Sequence, residues 1–163
     1  MEEILSEAQA GFRGGCSTID QMFTLRSIAE KYLEQGTDLY AWYIDFRKVF
    51  DSVWREGLWK VMRFYGYPEK IVRLLKNLYK ETFSAVRVEG YLTDWFRTLI
   101  CVLHGCVLSP MLYNILLKMV MARVADGVEH LGSVISDCTI SNLRFADDIA
   151  TLAESSDHLQ KRW

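Results

Sequence analysis

The sequence lacks the positive charge of a typical nucleic-acid binder. Nineteen Lys and Arg stand against 21 Asp and Glu, a formal net charge of −2, so no global basic field announces an affinity for phosphates. The four cysteines, Cys16, Cys101, Cys106 and Cys138, include no Cys-x-x-Cys pair. Neither a zinc site nor a disulfide framework follows, and the expected setting is reducing and intracellular, nucleus or cytoplasm. Met1-Glu2-Glu3-Ile4 has neither the basic nor the apolar region of a signal peptide. The longest apolar segment, residues 111–125, is interrupted by Asn114, Lys118 and Arg123, so it reads as a core helix and no membrane is expected as a partner. Internal repeats and low-complexity tracts are absent as well.

What is present is a substantial apolar inventory. Half of the 163 residues are hydrophobic, with five Trp, eight Tyr and eight Phe, enough for one domain with a proper core and too many for a disordered chain. The most informative stretch is residues 142–153. Leu143 and Phe145 alternate before Asp147-Asp148, and residues 149–153 can pair back after them, which predicts a β-hairpin with both acids at or beside its tip. An isolated Asp-Asp is often only a polar turn. Two carboxylates on a rigid hairpin are also a good holder for divalent metal ions, provided a third acid comes close.

Taken in order, residues 7–16 read as a loop with three glycines and Arg13. Ser17-Thr18-Ile19-Asp20 is a capping-box pattern, and Ile19, Met22, Phe23, Ala29, Tyr32 and Leu33 predict an amphipathic helix ending at Gly36. The aromatic run 39–44 predicts a buried strand ending at Asp45. Asp51 and Ser52 can cap a helix running to about Tyr65, and Pro68 opens another with Ile71, Val72, Leu74, Leu75 and Leu78 on one face. Residues 83–88 and 95–102 predict two strands around a Glu89-Gly90 turn. Ser109-Pro110 starts a long helix, residues 126–141 hold one short strand near Val134, and Ser155-Ser156 cap a last helix. This order implies an α+β fold, a small antiparallel sheet with helices packed on one face.

Asp45 ends an apolar run, where an acid is costly unless hydrated, paired or metal-bound. A helix or turn cap is the plainer reading of such an Asp; a neighbouring Asp147-Asp148 hairpin favours the metal. Lys76 belongs to a locally basic stretch with Arg63, Lys70, Arg73, Lys80 and Arg87, interleaved with tyrosines. That pattern suits either phosphate contact or a solvated helix face.

Residues 44–53 around Asp45, the segment Gly105-Cys106-Val107-Leu108-Ser109-Pro110 and Phe145-Ala146-Asp147-Asp148 occur in this order along the chain. Together they resemble the reverse transcriptase domain of non-long-terminal-repeat (LINE-type) retrotransposons. Gln9-Ala10-Gly11-Phe12-Arg13, followed by residues 17–21, resembles the segment preceding the first catalytic strand in that family. The resemblance implies a polymerase palm with partial fingers. On that basis residues 1–37 are a fingers-like remainder and 38–163 a palm with inserted helices, in one partial domain without the N-terminal fingers segment or the thumb.

For individual residues, the resemblance implies that Asp45, Asp147 and Asp148 are catalytic. With the Phe46 carbonyl they would bind two Mg²⁺ (or Mn²⁺) ions, one lowering the pKa of the primer hydroxyl and one neutralising pyrophosphate. Phe50 would crowd the sugar 2′ position, unless it is a core ring at a strand-to-helix junction. Gly105 and Ser109 would meet the nucleotide, and Arg13 would contact nucleic acid or be a solvated loop arginine. For Lys76 a nucleic-acid contact rests on its basic stretch alone. The implied partners are an RNA template, a DNA primer and deoxynucleoside triphosphates. Leu103-His104 replaces the family's Arg-Gln, and the expected activity of this chain alone is weak or absent. The alternative is a palm relic that serves, without catalysis, as a scaffold for RNA or a protein.

Overall fold

The computed structural model describes residues 6–98, 102–103, 105–126, 133–135 and 138–160. In chain order the elements are α1 (Thr18–Gln35), β1 (Tyr40–Asp45), α2 (Arg55–Phe64), α3 (Glu69–Lys80), β2 (Phe83–Ser84), β3 (Arg87–Val88), β4 (Tyr91–Leu92), β5 (Phe96–Arg97), α4 (Ser109–Asp126), β6 (Ser133–Ile135), β7 (Cys138–Ile140), β8 (Asn142–Phe145), β9 (Asp148–Ala153) and α5 (Ser156–Gln160). They form two compact units, Met1–Arg47 with Leu116–Trp163, and Lys48–Ile115.

The first unit is organised on a three-stranded antiparallel sheet in the order β1-β9-β8. β9 is central, and Ile149, Thr151, Leu152 and Ala153 are buried in it. Side chains alternate across a strand, so Leu143, Ala150 and Leu152 share one face. Ile28 and Tyr32 of α1 form a buried cluster with Leu143 and Leu152, flanked by Leu25, Leu39, Ile140 and Ala150. The predicted caps of α1 are both formed. Ser17 accepts from the Asp20 amide and Asp20 accepts from the Ser17 amide at 2.8 Å, worth about 1 kcal/mol. Gly36 ends the helix in the left-handed region, φ 66°, where a side chain is disfavoured.

Of the residues expected to form the apolar side of α1, only Tyr32 is buried, while Ile19, Met22, Phe23 and Leu33 are exposed. The sheet selects the 25-28-32 spacing instead, because Leu143 and Leu152 offer a hydrophobic surface to that side. β1 was expected to be buried, yet Trp42 is 44% and Tyr43 66% exposed. It is the edge strand of this sheet and, among the described residues, pairs only with β9.

In the second unit, α2 and α3 pack together. α2 starts at Arg55 after Trp54, with no side-chain cap, instead of being capped by Asp51 and Ser52. The buried face of α3 is Val72, Leu75 and Tyr79. Ile71, Leu74 and Leu78, expected to share that face, are exposed. Burial follows the 72-75-79 spacing, on which Tyr79 meets Trp59 at a ring distance of 6.0 Å. The Glu89-Gly90 turn is present, with φ of 49° and 91°, both in the left-handed region that a two-residue hairpin turn demands. The tight turn brings the chain back at once, so β3 pairs with β4 from Tyr91, while the predicted return near Trp95 is β5, which pairs with β2. Residues 99–101 of that predicted strand lie outside the described residues. In the segment expected to hold one strand, β6 and β7 pair as a short hairpin.

Candidate metal centre on the β1-β9-β8 sheet

The register decides which carboxylates meet. Asp45, the last residue of β1, lies directly opposite Asp148, the first residue of β9, and Asp148 also pairs with Phe145 of β8. The turn between Phe145 and Asp148 is the dipeptide Ala146-Asp147. Asp45 is therefore brought to the same end of one sheet as the adjacent acids Asp147 and Asp148, far along the chain, with Phe46 following Asp45 immediately.

Directly opposed residues in an antiparallel pair have Cβ atoms roughly 4.5–5.5 Å apart, and like charges so placed destabilise the sheet. Asp45 and Asp148 are both exposed and Asp147 half-buried, so water screens the repulsion in part. A one-residue slip of β1 against β9 would turn Tyr43 and Asp45 to the other face. The match of Tyr43 with Ala150 and of Ile44 with Ile149 therefore also fixes the acid pair.

Alternation puts Asp45 and Asp148 on the face that α1 covers. Beside them a groove of about 400 Å³ runs between the first turns of α1 and the sheet, lined by Thr18, Met22, Leu25, Tyr43, Leu143 and Phe145 among others. It is almost wholly apolar, and the two carboxylates are among its lining residues.

The other candidate residues have the following positions. Arg13 donates from its guanidinium to the carbonyls of Ser6 and Gln9, at 3.0 and 3.1 Å, and so braces its own loop. In the second unit, Phe50 packs edge-on against Tyr113, with ring centres 5.8 Å apart, and its carbonyl accepts from the Val102 amide. Gly105 is exposed, φ 78°, a conformation that favours glycine. Ser109 is 2% exposed. Its hydroxyl donates to the Leu103 carbonyl at 2.6 Å and lies 3.4 Å from the Tyr79 hydroxyl. Lys76 is exposed and pairs with Glu56 at 3.2 Å. His104 lies outside the described residues.

Sequence reasoning did not single out Cys106. The Leu108 amide beside its sulfur holds the Cys106 thiol below the usual cysteine range, against the opposing effect of burial, with side-chain bonds from Tyr79 and Ser109 adding to the lowering. Thiolate is the reactive form. Alkylation of Cys106 by iodoacetamide, followed by mass mapping, is expected to inflect at a lower pH than a cysteine in a model peptide. Tyr79→Phe is expected to move that inflection upward.

The acids on the sheet have the donor chemistry of a hard cation site. Among the described residues, no group of three or more His, Cys, Asp or Glu is close enough to hold a metal by itself. Mg²⁺ is commonly held by one or two carboxylates, with water and substrate phosphates completing the shell. A facing pair with a third acid in the adjoining turn fits that mode.

Comparison with known proteins identifies the family and the fold. The family described as reverse transcriptase (RNA-dependent DNA polymerase) matches residues 1–163. The Pol polyprotein of the type-1 retrotransposable element R2 of Popillia japonica is 30% identical over 68% of this chain and 18% of that protein. The RNA-directed DNA polymerase from mobile element jockey of Drosophila melanogaster is 26% identical over 93% of this chain and 16% of its own length. The chain thus spans less than a fifth of either relative. Among solved structures, apo telomerase from Candida tropicalis, truncated from its C-terminal domain, superposes with a TM-score of 0.67. At 16% identity, the match covers 94% of this chain and 31% of that one, and it shows a shared palm-type polymerase fold. No described helix is long and apolar enough to cross a membrane. With the whole sequence matched and its relatives drawn from R2, jockey and similar elements, the chain belongs to the reverse transcriptase family, as a domain of the non-long-terminal-repeat retrotransposon type.

Proposed function

We propose that the chain contributes the acidic centre for RNA-templated DNA synthesis by nucleotidyl transfer, with Asp45, Asp147 and Asp148 as the carboxylates that hold Mg²⁺ or Mn²⁺. The reading rests chiefly on one observation, the register that sets Asp45 against Asp148 beside Asp147 in the turn. Reverse transcriptases generally use divalent metal ions and bind a nucleic-acid template and nucleotides. When bound at such carboxylates, these ions activate the attacking hydroxyl and neutralise the leaving pyrophosphate.

The protein's own part is to fix the acids on paired strands, so that they need no rearrangement to receive charge. The apolar groove at the acid end of the sheet has the composition of a small-ligand surface, greasy walls beside a few convergent polar groups. Phe50, Gly105 and Ser109 are proposed for the nucleotide, Arg13 and Lys76 for nucleic acid. The rival reading is a palm that serves, without catalysis, as a scaffold for RNA or a protein.

Primer extension on an RNA template with Mg²⁺, comparing this chain with Asp147→Ala, separates the two. Product from the parent chain alone supports catalysis. Product from both overturns it, and product from neither favours the non-catalytic scaffold.

A further inference from the structure

The N-terminal loop is attached to the catalytic hairpin more intimately than its glycine-rich sequence suggests. The Arg144 amide donates to the Ala8 carbonyl at 2.8 Å, and the Ala10 amide donates to the Arg144 carbonyl at 2.9 Å. Gln9 thereby becomes a parallel bridge partner of Arg144 on the free edge of β8. The Gln9 side chain, on a residue 3% exposed, then reaches the turn itself. Its Nε2 donates to the Ala146 carbonyl at 3.0 Å, and its Oε1 accepts from the Ala146 amide at 3.0 Å and the Gly11 amide at 2.8 Å. One side-chain amide satisfies both backbone polar groups of a residue 137 positions away. Gly11 closes the contact, because a Cβ there would overlap the Ala146 nitrogen.

Ala146 needs such a hold. It is a non-glycine residue at φ 58°, where L-residues are disfavoured by clash with their own backbone. It is also the first of only two residues between Phe145 and Asp148, so any relaxation of Ala146 rotates Asp147 with it. A glycine would permit this turn; an alanine gripped on both polar groups is fixed in it.

We propose that Gln9 and Gly11 form a clamp that positions Asp147 and Asp148 for the cation, with Gln9 as a positioning residue. The proposal rests on the acidic-centre reading above. The test titrates the chain with Mn²⁺ by electron paramagnetic resonance and follows amide hydrogen exchange at Asp148 and, as a sheet reference, Leu152. Gln9→Ala is expected to weaken Mn²⁺ binding and speed Asp148 exchange by about tenfold each, the scale of losing a buried hydrogen-bond partner. Leu152 exchange should stay within about twofold. Gly11→Ala should act alike. Gln9→Asn keeps the amide but withdraws it by one methylene, so it should fall between the parent and Gln9→Ala and serves in its place if that variant does not fold.

Unchanged Mn²⁺ affinity and Asp148 exchange in Gln9→Ala would overturn the clamp. So would equal acceleration at Leu152, which would mark a merely structural role. If the parent and Asp147→Ala bind Mn²⁺ alike, the acidic-centre reading fails instead. Asp148 exchange then decides the clamp alone, with faster exchange supporting it and unchanged exchange overturning it.

Discussion

Asp45→Asn is expected to change activity and stability in opposite directions. Metal-dependent primer extension should fall by roughly 10³-fold, because a carboxylate that neutralises developing charge contributes several kcal/mol to such a reaction. In the metal-free chain the same substitution should raise the thermal midpoint. Asp45 faces Asp148 across β1 and β9, and removing one of two opposed charges relieves an interaction worth a few tenths of a kcal/mol at an exposed site. Scanning calorimetry with chelator and again with excess Mg²⁺ checks it: Asn should be the more stable chain in chelator and lose that advantage in Mg²⁺. An Asn chain less stable than the parent in both conditions would mean that Asp45 serves as a structural cap, not as half of a strained acid pair.

The largest effect on stability is expected at Arg55. It is 8% exposed, at the start of α2, and its guanidinium donates to the Tyr79 carbonyl at 2.9 Å, the Thr82 hydroxyl at 3.1 Å and the Thr98 carbonyl at 3.1 Å. The same group lies 5.1 Å from the centre of the Tyr79 ring. Methionine could fill the volume but would leave those oxygens without this donor. Arg55→Met should therefore cost about 3 kcal/mol and lower the urea midpoint by roughly 1–2 M, followed by Trp fluorescence. Arg55→Lys should recover less than half, since a compact, strongly hydrated ammonium costs more to bury and does not stack flat on a ring. A midpoint within 0.3 M of the parent for either variant, below about 1 kcal/mol at the usual denaturant slope, would refute the account.

Elements whose signals are local were legible in the sequence. Ser17 and Asp20 cap α1, Gly36 ends it, Glu89-Gly90 turns a ribbon and Asp147-Asp148 sits at a hairpin tip, because capping and turn chemistry act over three or four residues. The motifs also carried the family likeness. Local pattern could not tell which face of an amphipathic element meets a neighbour. Residues 19, 22 and 23 of α1 and residues 71, 74 and 78 of α3 have the right period and the wrong side, and β1 has core composition at an exposed edge.

By itself the sequence determined that acids close two strand-like runs, and it named their family. Only the tertiary structure decided that β1 pairs with β9 in the register that faces Asp45 with Asp148, and that Gln9 grips the turn from 137 residues away. Pairing partners and buried side-chain bonds of that span are set by how whole elements pack, and no window along the chain contains both ends.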